Sequence, residues 1–154
     1  MTTDVQTEIL KQVAEIFDKN IPFHNLLGLN IQHYDKNGVE VVIRLKPELI
    51  GNIYQNILHG GVSATLLDVV GGLTAFAGLV SSRDDWTYEQ LEKRLTTLGT
   101  IDMRVDFLRP GRGEVFTGTG RVIRSGNRVS VCSMEMHNED GMQIALGTGT
   151  YLVG

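Results

Sequence analysis

The sequence predicts an α+β domain in which one antiparallel β-sheet packs against a long central helix. Three observations predict it: a helical stretch over residues 60–80 that is apolar on nearly every side, alternating apolar and polar segments before and after it, and short turns between those segments. A surface helix would show a polar face, so this helix must be buried on most sides. The chain has 154 residues, a common size for one domain, and we expect one domain over residues 1–154.

An N-terminal helical segment is predicted over residues 1–20, with an amphipathic helix over 4–18. Its apolar residues repeat with a period of about 3.6 residues and share one face. They are Val5, Ile9, Leu10, Val13, Ile16 and Phe17. Thr2 or Thr3 is a candidate cap, and Asp4 suits the positive end of the helix dipole. Pro22 is expected to end any helical continuation. We expect this helix to be structural and to pack on a larger body.

A β-hairpin is predicted next. Residues 29–34 and 39–45 alternate between apolar and polar side chains, and Asn37-Gly38 lies between them. This dipeptide is a strong hairpin signal because both residues tolerate positive φ. Pro47 is expected to stop the second strand.

Beyond the central helix, the sequence predicts one polar segment and four strands. Residues 82–96 predict a short exposed helix or an ordered loop, anchored by Trp86 and Leu91. The strands are expected at about 99–108, 113–124, 128–138 and 142–153, since turn residues such as Gly, Pro, Asn and Asp separate them. These turns are short enough for antiparallel pairing.

Composition argues against several classes of protein. Fourteen Lys and Arg against eighteen Asp and Glu give a net charge of −4 and a pI near 5.5, which argues against a nucleic-acid binder. The chain shows neither a long uninterrupted apolar run nor a signal-peptide pattern, so we expect a cytoplasmic protein that does not bind membranes. A single cysteine, Cys132, excludes an internal disulfide. The histidines His24, His33 and His137 lack metal-ligand spacing, so no metal site is expected.

Asp68 is a carboxylate within the apolar run of the central helix. An unpaired buried charge is costly, so such a residue is usually paired, hydrogen-bonded or used in chemistry. As a base it would activate water or another nucleophile. The alternative is that this side of the helix is open and Asp68 is merely solvated. Both interpretations stand at this point.

His59-Gly60-Gly61 comes directly before the central helix. A helix N-terminus offers backbone N–H groups and a positive dipole end, and glycines let a carbonyl oxygen or a phosphate approach them closely. This is the geometry of an oxyanion hole. The alternative is that the glycines only make a tight turn. His59 is a candidate base, or a loop histidine that bonds to the backbone.

Small residues follow the same side of the helix, at spacings of three and four. They are Gly61, Ala64 or Thr65, Asp68, Gly71 or Gly72, and Ala75. Such a stripe lets another backbone or a ligand come close. Gly61 and Asp68 are ~10 Å apart along a helix, too far for both to meet one substrate carbonyl within a chain. If both residues act on one bond, the site must be shared across a homodimer.

Residues 58–68, Leu-His-Gly-Gly-Val-Ser-Ala-Thr-Leu-Leu-Asp, resemble the signature of the hotdog-fold acyl-CoA thioesterases of the PaaI-like subgroup. In that signature His-Gly-Gly opens the central helix and an Asp follows nine residues after the His, as here. Residues 100–110 also resemble the family's next strand, which ends in an aromatic residue, an apolar residue and a proline. The resemblance covers residues 23–153. It implies a sheet wrapped around the long helix, and a homodimer with a continuous sheet that often pairs again into a tetramer.

The resemblance also implies roles for single residues. Asp68 matches the family's catalytic carboxylate, which acts as general base on water or as nucleophile on the thioester. Gly61 matches the backbone N–H that polarises the thioester carbonyl, and His59 matches the histidine that helps to hold the loop and the thioester. Thr100 falls where related enzymes carry a Ser or Thr that helps to position the water.

This chain matches the family pattern less clearly at two places. The family uses an Asn or Gln a few residues before His-Gly-Gly, and this chain offers Asn52, Gln55 and Asn56. Asn52 and Asn56 are favoured, with no choice between them. The insertion over residues 81–97 departs from the shortest family members and bears on the shape of the acyl pocket.

Coenzyme A carries phosphate groups, so arginines are expected near the mouth of the pocket. The candidates for binding it are Gly60, Arg109, Arg124, Asn127 and Arg128. Residues 124–128 form a turn of the kind that holds the nucleotide end in relatives. For each arginine, the alternative is a solvated charge at a strand end. Coenzyme A is expected as part of the substrate, with no separate cofactor.

The leading hypothesis is therefore an acyl-CoA thioesterase that releases a free fatty or aryl acid and coenzyme A. The alternative is a non-catalytic protein on the same fold that binds acyl-CoA or an acyl carrier protein. Asp68 favours the enzyme, because a binder needs no base in that position. A third hypothesis is a hotdog dehydratase, but those enzymes carry a different motif, in which a histidine serves as the base.

Overall fold

Six antiparallel strands form one sheet in the computed structural model, which describes residues 4–154. The strands of the described residues are β1 (Asn30–Asp35), β2 (Gly38–Arg44), β3 (Ile50–Asn52), β4 (Ile57–Leu58), β5 (Gly99–Phe107), β6 (Val115–Ser125), β7 (Val129–Asn138) and β8 (Gln143–Leu152). Their order in the large sheet is β1-β2-β6-β7-β8-β5, while β3 and β4 pair with each other in a separate hairpin. β1 and β5 are therefore the two edges of the large sheet.

The sheet packs around one long helix. The α-helices are α1 (Val5–Glu15), α2 (Pro22–Leu27), α3 (Gly60–Ser81) and α4 (Tyr88–Leu95). Helix α3 contacts β2, β6, β7 and β8, and β6 approaches it closely because Gly118 and Gly120 lack side chains. A Cβ at either glycine would lie within 3.0 Å of Val70. The predicted antiparallel sheet around a central helix, the hotdog fold, is confirmed.

Helix α3 is long and apolar enough to cross a membrane by length and composition, with a mean hydropathy of 1.6. However, 72% of its most apolar window is buried inside the protein. Its apolar surface therefore serves the core of this fold, as the sequence predicts for a helix buried on most sides.

The N-terminal segment contains two helices rather than one. Helix α1 buries Ile9, Leu10 and Val13, and a π-helical turn over Ile16–Asn20 continues it. The predicted stop at Pro22 is confirmed, because the helical segment ends at Asn20 and Ile21 is extended. Pro22 also opens the separate helix α2, and proline suits a first helical turn since its missing N–H would be unsatisfied there anyway. Asp4 is the N-cap residue, and the candidate caps Thr2 and Thr3 lie outside the described residues.

The predicted hairpin of β1 and β2 is present, but its turn differs from the expectation. Asp35 pairs with Gly38, so Lys36 and Asn37 form the loop. Neither Asn37 nor Gly38 has a positive φ. The Asp35 carboxylate instead accepts hydrogen bonds from the amides of Asn37 and Gly38, at 2.7 and 3.1 Å. These bonds, with that of Asn37 foremost, lower the pKa of Asp35.

The polar segment after α3 folds back over the C-terminal end of that helix. Thr87 caps α4 in a capping box with Gln90, and Leu91 is fully buried. Trp86 is 6% exposed and donates a hydrogen bond to the Leu79 carbonyl at 3.2 Å. The prediction of Trp86 and Leu91 as anchors is confirmed. The insertion thus lies at the opposite end of α3 from the His-Gly-Gly turn.

Candidate active site

His59 caps the N-terminus of α3 with its own side chain. The Gly61 N–H donates to His59 Nδ1 at 2.8 Å, and the amides of Val62 and Ser63 donate to the His59 carbonyl. Since Nδ1 accepts, the proton of the neutral ring is on Nε2. Within residues 4–154, the Gly60 amide has no acceptor. Of these two glycines, it is therefore the partly exposed Gly60 whose amide is free to bind a ligand, because the Gly61 amide already donates to His59.

The β3–β4 hairpin holds His59 in place. The His59 amide donates to the Leu49 carbonyl at 2.8 Å. β3 packs so closely on this residue that a Cβ at Gly51 would lie 2.6 Å from His59 Cα. The backbone at the start of α3 is therefore fixed from outside the helix.

Asp68 lies two turns further along α3, on its open side. Asp68 is partly exposed, as are Ala64 and Thr65, whereas Gly71 and Gly72 are buried. Thr100 Oγ1, on the edge strand β5, donates to Asp68 Oδ1 at 2.8 Å. The carboxylate is therefore both accessible and oriented. The stripe of small residues is open only in its first half.

Tyr151 is a second hydroxyl beside Asp68, and sequence analysis does not find it. It projects from β8 to α3, with its oxygen 3.3 Å from the Asp68 carbonyl oxygen and 3.4 Å from Oδ1. Eighty-three residues separate the two in sequence. The only sequence signal was the pair of glycines, Gly71 and Gly149, whose missing side chains make room for its ring.

A cleft of about 360 Å³ opens beside Gly60. Its wall includes Gln55, Phe107 and Arg109, and Arg109 is held by a hydrogen bond to the Gln143 carbonyl at 2.9 Å. Of the predicted coenzyme A contacts, Gly60 and Arg109 therefore share one cleft. Gln55 also lines this cleft, and its side-chain oxygen accepts a hydrogen bond from Arg112 at 2.7 Å.

Asn52 and Asn56 have structural roles instead. The Asn52 side chain accepts hydrogen bonds from the amides of Tyr54 and Gln55 and so closes the β3–β4 turn. Asn56 has a φ of 53°, a conformation that asparagine tolerates better than most residues. The preference for these two over Gln55 is not supported by the geometry, because Gln55 is the one that reaches the cleft.

The turn with Arg124, Asn127 and Arg128 is far from Gly60 in the same chain. It lies beside Gly78, where a Cβ would contact Ser125 of this turn, and Gly78 is about 27 Å along α3 from Gly60. The Asn127 carbonyl oxygens accept hydrogen bonds from Arg94. One chain thus brings Arg109 to the cleft, but not these three residues.

The helical rise of about 1.5 Å per residue also separates the two catalytic candidates on α3. Gly60 and Asp68 are eight residues apart, about 12 Å along α3. A carbonyl bound at the Gly60 amide cannot also lie within ~3 Å of Asp68 of the same chain. If a carbonyl binds at the Gly60 amide, the group that attacks it must therefore come from elsewhere than Asp68 of the same chain.

Known proteins that are similar to this chain include thioesterases. The family model described as "Thioesterase superfamily" matches residues 55–145, which include His59, Asp68 and Thr100. This chain belongs to the thioesterase superfamily. A relative in Escherichia coli K12, the medium/long-chain acyl-CoA thioesterase YigI, is 43% identical over 147 residues, which cover 96% of this chain and 95% of YigI. The chain is therefore a thioester hydrolase.

Solved structures agree with the thioesterase family. A crystal structure of a Shewanella oneidensis protein related to the thioesterase superfamily is 73% identical, with a TM-score of 0.97 over 99% of this chain and 100% of the other. The Escherichia coli PaaI protein from the phenylacetic acid degradation operon has a TM-score of 0.74 at 22% identity, over 97% and 96% of the two chains. This second likeness shows the shared fold.

Cys132 is a core residue of this thioesterase. It is fully buried on β7, and burial raises the pKa of its thiol to about 12. Met134 and Met136, on the same side of β7, are also fully buried. The prediction that these residues pack in the core is confirmed. The predicted absence of a metal site stays a prediction.

Proposed function

We propose that the chain hydrolyses medium- or long-chain acyl-coenzyme A, with Asp68 as general base or nucleophile and the Gly60 amide as the donor that polarises the thioester carbonyl. The observation that carries this proposal is the Asp68 carboxylate on the open side of α3, held by Thr100 Oγ1 at 2.8 Å. A buried apolar helix has no structural need for an oriented, accessible carboxylate there. The substrate class is that in the name of YigI, the relative with 43% identity.

The chemistry needs one base and one oxyanion donor. As base, Asp68 takes a proton from a water molecule whose oxygen attacks the carbonyl carbon, while the carbonyl oxygen gains charge beside the Gly60 N–H. The carbon–sulfur bond then breaks and the proton passes to the departing thiolate, which releases a free acid and coenzyme A. As nucleophile, Asp68 would attack the same carbon, and the carbon–sulfur bond would break to release the coenzyme A thiolate. Water would then hydrolyse the mixed anhydride, which frees the acid, restores the Asp68 carboxylate and supplies the proton that the thiolate takes up.

The edge strand β5 supports a shared site in a homodimer. β5 carries Ile101 and Phe107, which are 55% and 58% exposed at an edge that has free backbone groups. Such an edge is suited to pairing with a second copy. A two-fold axis between Met103 and Arg104 would place Thr100 of one protomer opposite Phe107 of its partner in an antiparallel pair.

That pairing would bring the two halves of the site together. Thr100 contacts Asp68, and Phe107 lies against Gly60, where a Cβ would be 3.3 Å from its ring. Pairing Thr100 with Phe107 across the axis would therefore bring Asp68 near the Gly60 amide of the other protomer. We propose that the active unit is this dimer. Pairing of dimers into a tetramer, as the resemblance implies, remains a prediction.

The same dimer gives a role to the distant arginines. Along α3, Asp68 is ten residues, or about 15 Å, from Gly78 and the turn beside it. Arg124 and Arg128 would then be on the Asp68 side of a composite site, and Arg109 on the Gly60 side. We propose that these cations bind the phosphate groups at the nucleotide end of coenzyme A. We also propose a cytoplasmic location, where acyl-coenzyme A is found.

The test is a panel of thioesters assayed for free thiol: butanoyl-, octanoyl-, dodecanoyl-, hexadecanoyl- and phenylacetyl-coenzyme A. Wild type should cleave the octanoyl and longer aliphatic thioesters fastest. Asp68→Asn should reduce kcat by ~10²-fold or more, because the base is lost while the volume is kept. The control is Asp84→Asn, an exposed aspartate beyond the C-terminal end of α3, which should leave kcat unchanged.

The outcomes separate the candidate functions. Hydrolysis at the wild-type rate by folded Asp68→Asn would remove Asp68 from the mechanism. Tight binding of acyl-coenzyme A with no thiol release by wild type would favour the non-catalytic binding protein.

A further inference from the structure

The phenol of Tyr151 is buried against the same turn of α3 that carries Asp68. The residue is 1% exposed, and its oxygen lies 3.3 Å from the Asp68 carbonyl oxygen and 3.4 Å from Oδ1. A single O–H proton lies between these two acceptors. When the carboxylate is ionised, Oδ1 is the stronger acceptor of the two.

Two glycines fix the ring in this position. A Cβ at Gly71 would overlap the phenol oxygen, and a Cβ at Gly149 would lie 2.6 Å from the ring and from that oxygen. Neither glycine has a positive φ, so backbone conformation does not require glycine at these sites. The space that they leave is filled by Tyr151. The second half of the small-residue stripe thus accommodates a side chain of the same chain.

The two hydroxyl groups meet at one carboxylate oxygen. Thr100 Oγ1 donates to Oδ1 at 2.8 Å from the edge strand, and Tyr151 approaches the same atom from the core. Within residues 4–154, Oδ2 accepts no hydrogen bond, and no basic side chain forms an ion pair with Asp68. Among these residues of one chain, the side chains that donate to this carboxylate are therefore two hydroxyl groups.

We propose that Tyr151 is a positioning residue for the reaction: its O–H, together with Thr100, holds Oδ1 of Asp68 so that Oδ2 faces the water or the thioester. This rests on the proposed function, in which Asp68 is the reacting carboxylate. Burial raises the pKa of the Tyr151 phenol well above its usual value, and the nearby Asp68 charge adds to the effect. The phenol therefore stays protonated and remains a donor.

The test compares two tyrosines that both donate to α3. Tyr151→Phe keeps the ring in its slot and removes the O–H. Tyr34→Phe is the matched control, since the Tyr34 hydroxyl donates to the Leu73 carbonyl of the same helix at 2.8 Å but does not reach Asp68. Each variant is assayed for kcat, KM and pH dependence with dodecanoyl-coenzyme A, and for its urea midpoint.

Tyr151→Phe should lower kcat by about tenfold with KM unchanged. A misplacement of a catalytic group by about 1 Å can cost ~10²-fold in rate. The expected loss is smaller because Thr100 still holds Oδ1. The acid limb of its pH–rate profile should move to higher pH, since losing a donor to the ionised carboxylate disfavours that form. Tyr34→Phe should lower the urea midpoint and leave kcat and the pH profile unchanged. Thr100→Val should shift the same limb further, because its bond is shorter.

Three results would overturn the inference: wild-type kcat and pH profile in Tyr151→Phe, equal kcat losses in both tyrosine variants, or a loss in Tyr151→Phe that appears in KM alone. The reference variant Asp68→Asn distinguishes this failure from failure of the proposed function. If Asp68→Asn is inactive while Tyr151→Phe behaves as wild type, only the role of Tyr151 is lost. If Asp68→Asn is active, the mechanism itself is wrong.

Discussion

A mixture of two inactive variants should regain activity if each active site takes residues from both protomers. The first variant is Asp68→Asn, which lacks the base. The second is Gly60→Val, whose side chain blocks approach to the amide. Gly60 is preferred to Gly61 because the Gly61 amide already donates to His59. Gly60 has no positive φ, and a Cβ there meets only the edge of the Phe107 ring at 3.3 Å. The variant should therefore fold.

The expected recovery follows from the geometry. Because about 12 Å of helix separates Gly60 from Asp68, each site would take Gly60 from one protomer and Asp68 from the other. Both sites of either variant homodimer therefore lack one of these two residues. After random exchange of equal amounts, about half of the dimers are mixed, and each mixed dimer has one intact site and one site with both defects. Activity should therefore rise from near zero to about a quarter of the wild-type value.

The assay is thiol release from dodecanoyl-coenzyme A, with one variant isotope-labelled so that native mass spectrometry counts mixed dimers. The control replaces the second variant with the double variant Asp68→Asn/Gly60→Val. Its mixed dimers with Asp68→Asn contain no complete site and should stay inactive. No recovery despite proven exchange would refute the shared site, as would a monomer with full activity.

Two further predictions test the core. Trp86→Ala should lower the free energy of unfolding by about 3–5 kcal/mol, because a buried indole that bonds to Leu79 is lost. Urea denaturation measures this change. The folded fraction should keep wild-type kcat, and a loss of kcat would connect the α4 region to the site. Cys132 should resist thiol reagents in the native protein and react once per chain after denaturation, since it is fully buried with a pKa raised to about 12; rapid native labelling would contradict the buried position.

Much of the fold is predictable from the sequence because local patterns decide it. Alternation marks the strands, and the apolar character of residues 60–80 requires a helix inside the sheet. The turn at Asn37-Gly38 shows the limit of such reasoning. The hairpin is correct, but the Asp35 side chain bonds to the turn amides, so the turn needs no left-handed residue. The Asn-Gly dipeptide indicates a turn, but it does not show whether a positive φ or a side-chain hydrogen bond stabilises that turn.

The site is less predictable, because its parts come from distant segments. The family resemblance implies that Thr100 helps to position the water, but it does not predict the hydrogen bond from Thr100 to Asp68. No spacing rule links two residues on a helix and an edge strand. The choice among Asn52, Gln55 and Asn56 depends on which side chain the β3–β4 turn uses for itself. Asn52 bonds to two turn amides and Asn56 adopts a positive φ. That leaves Gln55 for the cleft.

Tyr151 illustrates that a stripe of small residues on a helix can either be open to another molecule or be filled by a side chain of the same chain. The sequence alone does not distinguish these two cases. Spacings of three and four predict one face on which something comes close, and they do not say what. Over Gly61 to Asp68 that face is open, so a substrate or second protomer can approach. At Gly71 the same lack of a side chain admits Tyr151 from β8. Asp68 lies at the boundary between the two halves, where a group held from inside the core can act on a molecule that arrives from outside. This position explains how an apolar helix carries a carboxylate without burying an unsatisfied charge.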